Sequence, residues 1–144
     1  RDRAGFREED FDALAATGRL ELVEGTRELF PGVRVTALGG HTPGMQIVEF
    51  HTDEGTLAFL ADLIPFAAHV PIPWVAGYDL NPLLSISEKR QFLSRAVEDR
   101  YLLVLQHDPV HEACRVTFED ERYRVAETSD LETTGVPGDA ADPV

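Results

Sequence analysis

Three short apolar runs each end on a side chain of the kind that binds metal, and this pattern constrains the chain more than any other. Val33-Arg34-Val35-Thr36-Ala37-Leu38 leads into Gly39-Gly40-His41-Thr42-Pro43-Gly44, Thr56-Leu57-Ala58-Phe59-Leu60-Ala61 leads into Asp62, and Tyr101-Leu102-Leu103-Val104-Leu105-Gln106 leads into His107-Asp108-Pro109. Runs of this length and composition, bounded by Gly, Pro and Asp, read as strands. Strand packing gives no reason for His41, Asp62 and His107 at those ends, whereas imidazole and carboxylate are ordinary ligands of Zn²⁺ and similar ions. Glycine and proline hold the His41 imidazole on a tight turn just past its strand. Taken singly, His41 reads as a polar turn residue, Asp62 as a loop cap and His107-Asp108-Pro109 as an ordinary turn. In register, the three read as part of a metal site.

The remaining segments fit around these strands. Phe6 to Thr17 spaces Phe6, Phe11, Leu14 and Ala15 as one face of an amphipathic helix that stops at Gly18. Leu20 to Val23 and Arg27 to Phe30 read as short strands, Met45 to His51 as a strand turning through Thr52-Asp53-Glu54-Gly55 into the run that ends at Asp62. Leu63 to Pro82 has four prolines and no usable period; its His69, Trp74 and Tyr78 make it a candidate substrate-pocket wall. Ser85 with Glu88 three positions later reads as a capping box, opening a helix whose buried stripe is Phe92, Leu93, Ala96 and Val97. Ala113 to Phe118 and Arg122 to Ala126 read as a hairpin, and residues 128–144, rich in Gly, Pro, Asp and Thr, as a disordered tail.

A chain of 144 residues is the size of one domain with its own core. The formal net charge of -13 opposes phosphate backbones and anionic lipid, which attract Lys and Arg, so nucleic acid and membrane are poor partners. Cys114 is the only cysteine, which excludes an intrachain disulfide and a cysteine-rich structural zinc site and suits a reducing cytoplasm. It reads as a small core side chain, His51 and His111 as surface residues. The first residue is Arg1 and no signal-like or membrane-spanning run is present, so the chain reads as soluble and cut from something longer.

Gly40-His41-Thr42-Pro43-Gly44, then Ala61-Asp62 after a hairpin, then His107-Asp108-Pro109 after a helix and a strand, resemble the C-terminal half of the metallo-β-lactamase superfamily of metal-dependent hydrolases, as do Asp62-Leu63-Ile64-Pro65 and the loop His69-Val70-Pro71-Ile72-Pro73-Trp74. The resemblance covers residues 1–127. It implies an α/β (α+β) chain forming half of an αββα sandwich, one mixed β-sheet with flanking helices. It also implies two divalent metal ions, Zn²⁺ or else Fe or Mn, with His41 on the first, His107 on the second and Asp62 bridging both as the catalytic carboxylate. Asp108 then orients the His107 ring, a support that metal-bound imidazoles commonly need. A water activated by the metal pair would attack a lactone, ester, thioester or amide carbonyl of a small-molecule substrate.

The departures from the family pattern carry their own expectations. The His-X-His-X-Asp-His run that supplies most remaining ligands in that family does not occur in this chain, so the dinuclear site is incompletely liganded here and the chain alone should be inactive. One sheet face should lack its packing partner, to be covered by the N-terminal half of the same domain or by a second copy of the chain. Ala61 stands where relatives carry glycine and Met45 where many carry a second histidine, neither position being a ligand. Two other readings use the same residues: a non-enzymatic module that folds against a partner, and a mononuclear iron dioxygenase of the same fold.

Overall fold

A computed structural model describes residues 8–131, and of Glu8 and Asp10 the backbone alone. Helix α1 (Glu8–Ala16) precedes strands β1 (Thr26–Phe30), β2 (Val33–Leu38), β3 (Met45–Thr52) and β4 (Gly55–Phe59). Helix α2 (Pro82–Glu98) is followed by β5 (Leu102–Val104), β6 (Ala113–Glu119) and β7 (Arg122–Ser129). The seven strands form one sheet in chain order. Every neighbouring pair is antiparallel except β4 and β5, which are parallel. A parallel pair needs a crossover, and residues 60–101 supply it through single 3-10 turns at Ala61–Leu63 and Ala67–His69 and then α2.

This topology places the site. Strands β2 and β4 are both antiparallel to β3, and β5 runs with β4, so β2, β4 and β5 point the same way. The residues that follow them, His41, Asp62 and His107, therefore emerge at one edge of the sheet. The register also sorts the two faces, because directly paired residues share a side. One row runs Glu49, Ala58, Leu103 and Cys114, flanked by Ile47, and it lies against Phe92, Leu93 and Ala96 of α2 in the buried core. Cys114 is fully buried there, and burial pushes its thiol up to about 11, as suits a core residue.

The opposite face is apolar and much less covered. Its rows are Val35, Val48, Phe59, Val104 and Ala113, and then Val33, Phe50, Leu57 and Leu102. Val35 and Ala113 are buried, but the other side chains remain part exposed and Phe50 is 39% exposed. Helix α1 leaves Phe11 39% and Leu14 50% exposed.

Several expectations are revised. Leu20–Val23 is not a strand: its residues form no ladder, and Leu22 is 80% exposed. Helix α2 begins at Pro82, with the Asn81 side chain accepting from Leu84 N, so Ser85 and Glu88 are interior residues and no capping box. Strand β5 is shorter than Tyr101–Gln106, and β7 continues to Ser129 past the expected boundary at 127. Phe6 and residues 132–144 lie outside the described residues. His51 is half-buried, its Nδ1 bonded to Thr56 Oγ1 at 2.9 Å, so it is no solvated surface residue. Among the described residues no helix is long and apolar enough to cross a membrane.

Candidate metal centre

The turn carrying His41 is held from three directions. Gly39 N and Gly40 N donate to the two carboxylate oxygens of Glu88, at 2.8 and 3.1 Å. Asn81 N donates to Gly40 O and Leu80 N to His41 O, at 2.8 and 3.0 Å. Met45 N, closing the turn, donates to Thr42 O. Gly40 has to be glycine for a packing reason, since a Cβ there would lie 2.6 Å from Ser85 Cα on α2 and nearer still to its N and Oγ.

From this turn the imidazole reaches two carboxylates. His41 Nδ1 is 2.8 Å from Asp79 Oδ1, and Asp79 has only 3% of its side chain exposed. An ionised carboxylate can only accept, so the Nδ1 hydrogen is donated to Asp79, while Nε2 faces Asp62 Oδ2 at 3.4 Å. The other oxygen, Asp62 Oδ1, lies 2.9 Å from His107 Nε2. The structure thus brings His41, Asp62 and His107 together, one imidazole on each oxygen of the central carboxylate. A lone pair opposite a carboxylate oxygen needs a proton or a metal cation between them. Two donors on one edge of a tetrahedral zinc shell stand about 3.4 Å apart when each bond is ~2.1 Å, which is the His41–Asp62 separation. Among the described residues no group of three or more His, Cys, Asp or Glu is arranged to hold a metal.

Asp62 and His107 owe their places to strained or tied loops. Ala61 has φ +46°, a left-handed conformation that an L side chain adopts at a cost, directly before Asp62. His107 N donates to Pro65 O, and Asp108 accepts from Ala67 N through Oδ2 and from Val110 N and His111 N through Oδ1. Asp108 is therefore not the ring partner of His107; its carboxylate is engaged by three backbone N–H groups and fastens the His107 loop to the Ala67 turn. Burial would raise its pKa, but these hydrogen bonds and the nearby His111 bring it below the ordinary value. The orienting carboxylate that does touch an imidazole is Asp79, on the other histidine.

The expected pocket residues separate. Tyr78 sets its ring edge-on to His41 at 5.7 Å between centroids and is 72% exposed, so it stands beside the site. His69 stacks on Phe66 at 5.3 Å, and Phe66 also flanks His107 at 6.3 Å. Burial, and then the Lys89 ammonium, hold the His69 imidazole below its ordinary pKa. Trp74 lies elsewhere, lining a groove of about 1210 Å³ between the proline-rich loop, α2 and the β6–β7 hairpin.

Sequence reasoning missed Asp79, Glu88 and Lys89. Lys89 is fully buried, and its Nζ donates to His69 O, Pro71 O and Trp74 O at 2.9, 3.0 and 2.6 Å. A signal was available, because Lys89 is the only lysine among 13 cationic residues.

No family model and no curated protein matches the sequence. Solved structures do match. A probable metal-dependent hydrolase from Staphylococcus aureus superposes with TM-score 0.68 at 27% identity, covering 78% of this chain and 40% of its own. AidC, a dizinc quorum-quenching lactonase in complex with a product, superposes with TM-score 0.67 at 17% identity, over 82% of this chain and 41% of its own. The hydrolase AbOPH of the beta lactamase superfamily gives TM-score 0.66 at 17% identity, over 85% and 44%. This chain spans about 40% of the length of the first two of these structures. Its seven-stranded mixed sheet thus has the fold of part of a metallo-β-lactamase-type hydrolase, matching about 40% of the length of these structures.

Proposed function

We propose that this chain contributes part of a dinuclear metal-dependent hydrolase centre, acting on a lactone, ester, thioester or amide. The observation that carries the reading is Asp62, which offers one carboxylate oxygen to each of two imidazoles. His41 Nε2 and Asp62 Oδ2 would hold one divalent ion, His107 Nε2 and Asp62 Oδ1 the other. When bound, such a pair lowers the pKa of water and polarises the scissile carbonyl. This chain's residues supply the rest of its share by placement. Asp79 keeps the proton of His41 on Nδ1, so that Nε2 remains a donor to metal, a support worth about 10 to 100-fold in metal affinity at comparable sites. Glu88 fixes the turn that carries the ring.

Beside His41 stand the exposed Tyr78, whose ring meets the imidazole edge-on, and Leu80, whose N–H bonds His41 O, at 72% and 40% exposed. An apolar rim of this kind suits a largely uncharged acyl compound, and the lactonase AidC places lactones first among the classes to try. With two donors per ion, this chain depends on another polypeptide segment for a closed shell. The part-exposed sheet face of Val33, Phe50, Leu57 and Leu102 supports the same dependence, since apolar area gains roughly 25 cal/mol per Å² on being covered. The occupant we propose is the N-terminal half of the same sandwich.

Mixing the purified chain with such a half, zinc and a panel of lactones and esters tests this. Hydrolysis that needs both polypeptides and is lost on chelation is the expected result. Tight stoichiometric zinc and turnover by this chain alone would contradict the shared site, and no hydrolysis with both halves assembled would contradict the enzymatic reading.

A further inference from the structure

Two consecutive residues of α2 hold the two loops that build the site. Glu88 takes the N–H groups of Gly39 and Gly40 and so fixes the His41 turn. Lys89, on the adjacent position, gives all three of its hydrogens to carbonyls of the proline-rich loop, at His69, Pro71 and Trp74. The loop is also seated by the buried Val70, by Ile72 packed against the core and by the Asp108 tie at Ala67, but between His69 and Trp74 no other side chain among the described residues bonds its carbonyls. Its own backbone bonds are the single turns His69 N to Phe66 O, Val70 N to Ala67 O and Trp74 N to Pro71 O, and prolines at 65, 71 and 73 carry no hydrogen to donate.

A carbonyl triad converging from three directions requires a compact ammonium with three rotatable donors. A guanidinium presents its donors in one plane and cannot reach all three. Every other cation of this chain, twelve in number, is arginine, and the single lysine sits where an arginine would fail. The charge of Asp79, the carboxylate that bonds His41, favours the ammonium form of Lys89.

We propose that Lys89 is a positioning residue that sets substrate specificity, holding the 69–74 loop at the spacing from α2 that defines the pocket wall, while its neighbour Glu88 governs metal placement. The specificity part rests on the hydrolase reading above; the clamp itself does not. The loop carries His69 on its site side, against Phe66, and Trp74 on its outer side, so a change in its height alters the site wall without touching a ligand.

The test compares Lys89→Met, Lys89→Arg and Glu88→Gln in the complete enzyme, with this chain isotope-labelled for amide exchange. Lys89→Met should speed exchange at Val70 and Trp74 by about tenfold or more, as expected for a locally opened segment, with β3 and the core of α2 unchanged. Its KM should rise several-fold, more for long acyl substrates than for short ones, with kcat and zinc content close to wild type. Lys89→Arg, which keeps the charge, should show the same loop exchange and so decides the matter if the Met variant does not fold. Glu88→Gln should do the reverse, weakening zinc binding with the 69–74 amides unmoved. Exchange at Val70 and Trp74 within twofold of wild type in a folded Lys89 variant would overturn the clamp. Loosened exchange with an unaltered substrate profile would overturn the specificity role. Absence of hydrolysis by wild type would instead refute the hydrolase reading and leave the exchange result standing.

Discussion

Gly39 and Gly40 are adjacent in one turn, yet the structure assigns them very different tolerances. A Cβ at Gly40 would sit 2.6 Å from Ser85 Cα, whereas carbon atoms pack at about 3.5 to 4.0 Å, so the turn and α2 would have to part by about 1 Å. The obstacle is helix backbone, which cannot rotate away as a side chain would. Overpacking of this kind destabilises by about 1 to 3 kcal/mol. If the turn backs off, the Gly40 N–H also leaves the Glu88 carboxylate, and hydrogen bonds to charged groups contribute about 1.5 to 3 kcal/mol. Gly40→Ala should therefore lose about 3 kcal/mol in urea unfolding followed by circular dichroism. Gly39→Ala meets only the flexible Leu84 side chain, its Cδ2 at 3.3 Å, and should lose under about 1 kcal/mol. In the complete enzyme a displacement of His41 by about 1 Å should cost on the order of 100-fold in turnover. Equal losses for the two variants, or a Gly40→Ala protein within about 0.5 kcal/mol of wild type, would refute the packing account of this turn.

Ala61→Gly should stabilise the chain by about 1 kcal/mol in the same unfolding assay, because φ +46° is free for glycine and strained for alanine. Asp79→Asn should weaken zinc binding by about 10 to 100-fold in a competition titration, with the unfolding midpoint moving far less, since the amide no longer fixes the His41 tautomer. Lys89 titrates at about 8, pulled down by burial against the attraction of Asp79, while in the unfolded chain its pKa is 10.5. Between those values the unfolded state holds a proton that the folded state does not, so Lys89's contribution to stability should rise as pH climbs from 8 to 10.5, the cost of the buried charge being fully present below 8. As the only lysine, it gives a single Nζ resonance whose titration midpoint near 8 checks this directly.

What the sequence disclosed followed from short-range pattern. The strands ending at His41, Asp62 and His107 carry apolar runs and turn residues, and the shared direction of β2, β4 and β5 then brings their ends to one edge. The buried stripe Phe92, Leu93 and Ala96 was equally plain from helical spacing. What stayed hidden depends on contacts across long separations. Asp79 lies 38 residues from His41 in a loop without periodicity. Glu88 and Lys89 resemble the solvated face of an amphipathic helix, and Glu88 was misread as a cap because Ser85 stands three residues before it; its true partners are 48 and 49 residues away. Leu20–Val23 has strand composition but no neighbour to pair with, and composition alone makes no ladder. Nothing in the sequence marks Ala61 as strained, since its positive φ comes from the loop that seats Asp62 and is a conformation glycine adopts freely.

The claim that Asp62 joins two ions is tested most directly by counting metal. Elemental analysis of the complete enzyme, purified in zinc, should give two zinc ions per site for wild type and fewer for Asp62→Asn, whose neutral amide cannot hold two cations, with hydrolysis lost in the variant. Two zinc ions retained and most of the turnover kept in Asp62→Asn would show that Asp62 only shapes the loop. A wild type that binds one iron, or no metal at all, would contradict the dinuclear hydrolase outright.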